Sequence, residues 1–134
     1  MQNADNNNEL ARLKVSPPLA WPTMAILIGS LAAIALTWAM VLTGIWPLWL
    51  GIVVNSIAGY ALFTPAHEAI HRAAARKSET NDFLLAAATF VAVPFGKGKL
   101  FRLLHMRHHR FANDPENDPD HWMASSLWTM PLWG

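Results

Sequence analysis

The sequence predicts an all-α integral membrane protein, and three observations carry that prediction. Two long apolar stretches without a single charge follow one another closely. Charged residues make up only 14% of the chain and hydrophobic ones 53%, whereas soluble domains carry about a quarter charged residues. All ten lysines and arginines lie outside the two stretches and the turn between them. At 134 residues the chain has room for one domain. It contains no cysteine, which excludes disulfides, thiolate zinc sites, iron–sulfur clusters and c-type haem attachment. Any metal must be held by nitrogen and oxygen, and any electrons must arrive from another protein.

Residues 1–18 are polar, rich in asparagine and closed by Pro17 and Pro18. They read as a disordered tail on the cytoplasmic side, and residues 19–134 as one membrane domain. Residues 19–42 are long enough, at ~1.5 Å per residue, to cross a ~30 Å hydrocarbon core. A secretory signal is the competing reading, because Arg12 and Lys14 precede the run. The run exceeds the ~7–15 residues of a signal core and a second span follows at once, so the helix is retained. Residues 43–47 form a short turn, and residues 48–66 complete a transmembrane hairpin. Trp21, Trp46 and Trp49 fall near the expected interfaces, where amphipathic rings concentrate. Pro65 admits two readings: a kink in the second span, or a new short helix capped by Thr64.

The stretch 83–95 is too short to span comfortably and reads as a re-entrant or interfacial segment, ended by Pro94 and the Gly96–Lys97–Gly98–Lys99 loop. A short basic helix follows from about residue 100 to 111. From about residue 122 the chain turns apolar again and reads as the start of a further, truncated span. Arg12 and Lys14 precede the hairpin and the other eight basic residues follow it. Positive residues mark the cytoplasmic side, so the N-terminus and everything beyond the second span are expected there.

Two clusters contain five of the six histidines: His67–Glu68–Ala69–Ile70–His71 and His105–Met106–Arg107–His108–His109. On a helix, positions i, i+3 and i+4 share a face. His67 and His71 therefore form one imidazole row, and His105, His108 and His109 a three-nitrogen edge on a second helix. Neutral imidazole is the commonest side-chain metal ligand. A single HxxxH is weak evidence, since such pairs are usually just polar surface. Two rows on one side of a membrane, where polar groups are costly, point to a metal site. The first row also reads as HExxH, with Glu68 as the general base of a membrane zinc metallopeptidase. That mechanism needs three protein ligands and leaves the second row with too many histidines. Glu68 is otherwise a polar group behind an imidazole, or a solvated helix residue. A non-catalytic remnant is the third alternative.

The other polar features carry less. His121, beside Trp122, reads as polar anchoring. Asp114, Glu116, Asp118 and Asp120 lack the central glycine of a calcium loop and read as a turn ending the second helix, with Asp114 or Asp118 able to bond a histidine. Lys97, Lys99, Arg102, Arg107 and Arg110 form a basic surface suited to anionic lipid. Nothing supports nucleic-acid binding.

The paired clusters resemble the first two histidine boxes of the membrane fatty acid desaturase and hydroxylase family. Arg110–Phe111–Ala112–Asn113–Asp114–Pro115 and Asp118–Pro119–Asp120 resemble the acidic turn behind the second box. The resemblance covers residues 21–134. It implies a non-haem di-iron centre at the cytoplasmic membrane face, with His67, His71, His105, His108 and His109 as ligands to two Fe ions. It also implies O2 as co-substrate, a lipid or fatty acyl substrate, and an external electron donor that is ferredoxin-, rubredoxin- or cytochrome b5-like. Family members carry a second hairpin and a third histidine box. Neither lies in these 134 residues, so the resemblance implies an N-terminal portion with an incomplete ligand set.

Overall fold

A computed structural model describes residues 16–92 and 98–121. These form five helices: α1 (Trp21–Leu42), α2 (Leu48–Ala61), α3 (Phe63–Ile70), α4 (Ser78–Ala92) and α5 (Gly98–Phe111). Among the described residues there is no strand, only an isolated antiparallel bridge between Leu19 and Ala75. The chain forms two units, divided between Phe95 and Gly96.

In the first unit, α1 opens with Pro22 in its first turn, where a missing N–H costs nothing. Its end is fixed by glycine. Gly44 has φ of 74°, and the Ile45 N–H returns to the Met40 carbonyl at 2.9 Å while the Gly44 N–H meets Val41 at 3.0 Å. This is the paired closure that a left-handed residue after a helix allows. It turns the chain into α2 within a few uncharged residues, as the hairpin reading requires.

The two helices meet through small side chains. The buried residues of α1 are Thr23, Leu27, Ser30, Ile34 and Thr37, a stripe at alternating four- and three-residue spacing. Thr37 satisfies its own hydroxyl by donating to the Ala33 carbonyl at 2.7 Å. Lipid tails are as apolar as leucine, so membrane helices associate by close packing of such residues rather than by burying large ones. Most of the large ones, Leu27 and Ile34 excepted, face outward: Trp38 is 60% and Ile57 67% exposed. Two helices, Trp21–Leu42 and Leu48–Ile70, are long and apolar enough to cross a membrane. Only 22% of the most apolar stretch of each is buried, the reverse of a soluble core helix.

Gly51 lies tight against α1 in that contact. A Cβ placed there would lie 2.6 Å from Val41 Cγ2, and a β-branched side chain in a helix has one strongly preferred rotamer. Gly51→Ala is therefore expected to destabilise the hairpin by about 1–3 kcal/mol through overpacking. Gly59→Ala, where a Cβ meets nothing within 4 Å, should be neutral or slightly stabilising. Thermal unfolding of the two variants in one detergent checks the opposite signs.

The second span runs on as α3, and Pro65 decides where it breaks. Proline removes its own N–H and crowds the carbonyl four residues earlier, which here belongs to Ala61, the last residue of α2. Leu62 keeps helical backbone (φ −64°, ψ −19°) and α3 has no side-chain cap. The first of the two readings of Pro65 therefore holds: it disturbs one continuous span, and Thr64 does not cap a new helix.

Ser78 rather than Phe83 opens α4, because Glu79 in its first turn suits a helix N-terminus. The helix packs along α3, and the core of this unit is Leu62, Ala66, Ala69 and Ile70 from α3 with Leu84, Leu85 and Ala88 from α4. Its far end returns beside the hairpin, since Phe90 and Val91 line a groove with Ile34 and Trp38. Residues 93–97 and the apolar stretch from 122 lie outside the described residues. In the second unit α5 has no buried residue and leads into a succession of turns over residues 112–121.

Candidate metal centre

Each histidine row repeats one arrangement: phenylalanine, then histidine, then histidine, each four residues on. Four residues is just over one helical turn, so the three rings stack along one edge. In the first unit Phe63 and His67 have ring centroids 5.7 Å apart, and His67 and His71 4.6 Å apart. Each of these histidines offers a ring nitrogen within 4.8 Å of the other's. In the second unit Phe101 lies 6.4 Å from His105, and His105 4.6 Å from His109.

The helix ends just past the first row. His71 is the C-cap of α3, and Arg72 follows with φ of 57°. The Arg72 N–H bonds to Ala69 at 3.2 Å and the Ala73 N–H to Glu68 at 2.9 Å, the same closure that Gly44 provides for α1. A residue with a Cβ pays roughly 1–2 kcal/mol for this conformation. The turn is held from outside: Ala20 N–H bonds the Ala74 carbonyl at 2.7 Å, and Ser16 Oγ donates to the Arg72 carbonyl at 3.3 Å. These contacts bring the entry of α1 and the exit of α3 to one end of the hairpin, with Arg72, Arg76 and Lys77 beside them.

In the second row the expected three-nitrogen edge divides. His105 Nε2 and His109 Nε2 converge to 3.0 Å in an N–H···N hydrogen bond, one ring donating and the other accepting. Adjacent ligands on a metal with ~2.1 Å bonds to imidazole lie about this far apart, so the pair has the spacing of two ligands to one ion. His108 is turned aside, because its Nδ1 is engaged by Asp118 Oδ1 at 2.8 Å. A proton on Nδ1 leaves Nε2 as the ring's donor atom, the way carboxylates orient metal-binding histidines. The hydrogen bond with Asp118 raises the His108 pKa; burial opposes this, and the charges of Asp118 and Asp120 add to it.

Asp118 is itself built into the turn. It is 8% exposed, and burial alone would push its pKa up. The Asp120 N–H at 2.9 Å, His108, and the Asn113 N–H at 2.8 Å outweigh that and hold the carboxyl at about 2. It is therefore ionised at every physiological pH. The echo of Asn–Asp–Pro in the sequence is a pair of side-chain-to-backbone turns. Asp114 accepts the Glu116 N–H, the Asn117 side-chain amide and the Asn117 N–H, which together lower its pKa, and Asp118 repeats the turn one step later. Asn113, at φ of 66°, is a residue type that tolerates the left-handed region. Of the two aspartates weighed from sequence, Asp118 holds a histidine and Asp114 shapes the turn. Neither the phenylalanine at the head of each row nor the buried Asn81 described below was singled out from sequence; the i, i+4, i+8 spacing was the available signal for the former.

Glu68 stands one position past His67, where adjacent helical residues do not share a face. His121 lies beyond the rows, and its Nδ1 is buried without a hydrogen-bond partner among the described residues. The donor set within the two rows is imidazole throughout, which suits iron or zinc and excludes ions that demand oxygen ligands. No match was found to a curated protein or to a solved structure. Residues 36–133, which contain both rows and the Asp118 turn, match the fatty acid desaturase family, and the chain belongs to that family.

Proposed function

We propose that the protein is a lipid desaturase or hydroxylase that uses O2 at a non-haem di-iron centre on the cytoplasmic membrane face. His67, His71, His105, His108 and His109 are the ligands this chain contributes. The observation that carries the reading is the convergence of His105 and His109 to ligand spacing inside the region matching the desaturase family. Iron held by these imidazoles would supply the O2 activation that breaking an unactivated C–H bond requires. The chain's own residues bind and orient: the rings supply nitrogen, Asp118 keeps the proton of His108 on Nδ1, and Phe63 and Phe101 cover one end of each row with apolar surface. The hairpin holds the first row, at the end of the second span, at the bilayer edge, where a hydrocarbon substrate resides. Electrons come from an external ferredoxin-, rubredoxin- or cytochrome b5-like donor; these 134 residues contain no cysteine to hold an iron–sulfur cluster.

Metal analysis of the purified full chain, with mass spectrometry of lipids from cells expressing it, tests the proposal. Stoichiometric iron held by these histidines and a newly unsaturated or hydroxylated lipid are expected. One zinc with peptide cleavage dependent on Glu68 would replace the reading with a metallopeptidase, and no stoichiometric metal would leave a non-catalytic remnant.

A further inference from the structure

We propose that Asn81 is a positioning residue for the first histidine row, its amide clamping the segment from which His71 takes its orientation. The inference rests on the metal reading above. Asparagine is a poor choice inside a helix, and burying an amide is costly unless every polar atom is paired. Asn81 nevertheless sits at 0% exposure in α4, among Leu84, Leu85 and Ala88.

Its side chain reaches across to the backbone that follows the first row. Oδ1 accepts the Ala75 N–H at 3.1 Å, while Nδ2 donates to the Ala75 carbonyl at 2.6 Å and the Lys77 carbonyl at 2.9 Å. Only one setting of the amide satisfies all three, because carbonyls need a donor and an N–H needs an acceptor. Both backbone groups of Ala75 are thus bound by a single side chain. Ala75 also pairs with Leu19 in the isolated bridge, and its neighbour Ala74 accepts from Ala20. Asn81 therefore joins three pieces at one point: the entry of α1, the start of α4, and the turn that closes α3 at His71.

That turn has reason to move. Arg72 occupies a left-handed conformation that a side chain disfavours, so relaxation at Arg72 would swing the chain on either side of it. His71 is immediately next to it. Fixing the segment at Ala75 and Lys77 removes that freedom and keeps His71 at its spacing from His67.

The test separates positioning from simple stabilisation by comparing two residues on one helical face. Asn81→Ala and Asn81→Asp remove the clamp; the aspartate keeps the shape but turns an acceptor toward two carbonyls. Leu85→Ala, one turn further along α4 and equally buried, weakens the same helix without touching the clamp. The full chain in detergent is titrated with Co2+ alone and followed by visible absorption, and amide hydrogen exchange is read at Ala73 and Ala75. Both Asn81 variants are expected to bind Co2+ about tenfold more weakly and to exchange at least tenfold faster at those amides. Leu85→Ala should lower the melting temperature comparably while leaving both readouts within about twofold.

Wild-type Co2+ affinity in Asn81→Ala, or an equal loss in Leu85→Ala, overturns the positioning role and leaves the metal reading standing. A wild-type chain that takes up no Co2+ overturns the metal reading itself, and this inference with it.

Discussion

His105→Ala is expected to strip the chain of stoichiometric iron and reduce lipid oxidation to background. His105 and His109 present Nε2 atoms 3.0 Å apart, so losing one ring leaves an ion with half of that pair. Residues that merely orient a ligand are worth 10–100-fold in metal affinity, and deleting a ligand should exceed the upper end, about 100-fold. The fold should survive. Helix α5 buries no residue in its own unit, and alanine is the best helix former, so circular dichroism should stay unchanged. His121→Ala serves as control, since His121 lies outside both rows, and should keep its metal. Iron quantified per chain, beside a melting curve for each variant, gives the answer. Full iron content in His105→Ala would remove the second row from the site.

Asp118→Asn is expected to weaken metal binding by 10–100-fold without removing any ligand. The carboxylate takes protons from three directions: His108 Nδ1, the Asp120 N–H and the Asn113 N–H. An amide of the same shape has one acceptor oxygen and one NH2, so one of those donors must face another donor. An unsatisfied pair of this kind costs on the order of 1–3 kcal/mol. Where the NH2 takes the Oδ1 position, the Asp120 N–H faces a donor and His108 must move its proton to Nε2, the atom left for a metal; where it takes the Oδ2 position, the Asn113 N–H is the one displaced. Co2+ titration of Asp118→Asn beside Asp114→Asn distinguishes the two aspartates. Asp114 caps only the turn, so its variant should bind metal nearly as the wild type does.

These expectations differ in how visible their causes are in the chain itself. The hairpin is legible because an uncharged stretch of sufficient length has one outcome in a bilayer, and Gly44 sits where the turn must reverse. The histidine rows are legible because i, i+4 spacing on a helix is local geometry, set by the backbone whatever surrounds it. Even the repeated Asn–Asp–Pro is visible as a helix stop, since an aspartate before a proline bonds to its own backbone.

Asn81 reads in sequence as one polar residue ahead of an apolar run, and nothing local says that it meets Ala75 and Lys77. Asp118 and Asp114 have the same immediate neighbourhood, yet only the course of the turn brings one of them to His108. Pro65 permitted two readings until the position of the break at Ala61 showed which carbonyl it displaced. Gly51 and Gly59 look alike on one helix, and only the approach of Val41 makes one of them irreplaceable. Periodicity, length and charge act within a segment, so the chain alone determined the spans, the rows and the donor chemistry. Partner choice depends on which segments close on one another, and that non-local closure settled which polar side chain holds which group.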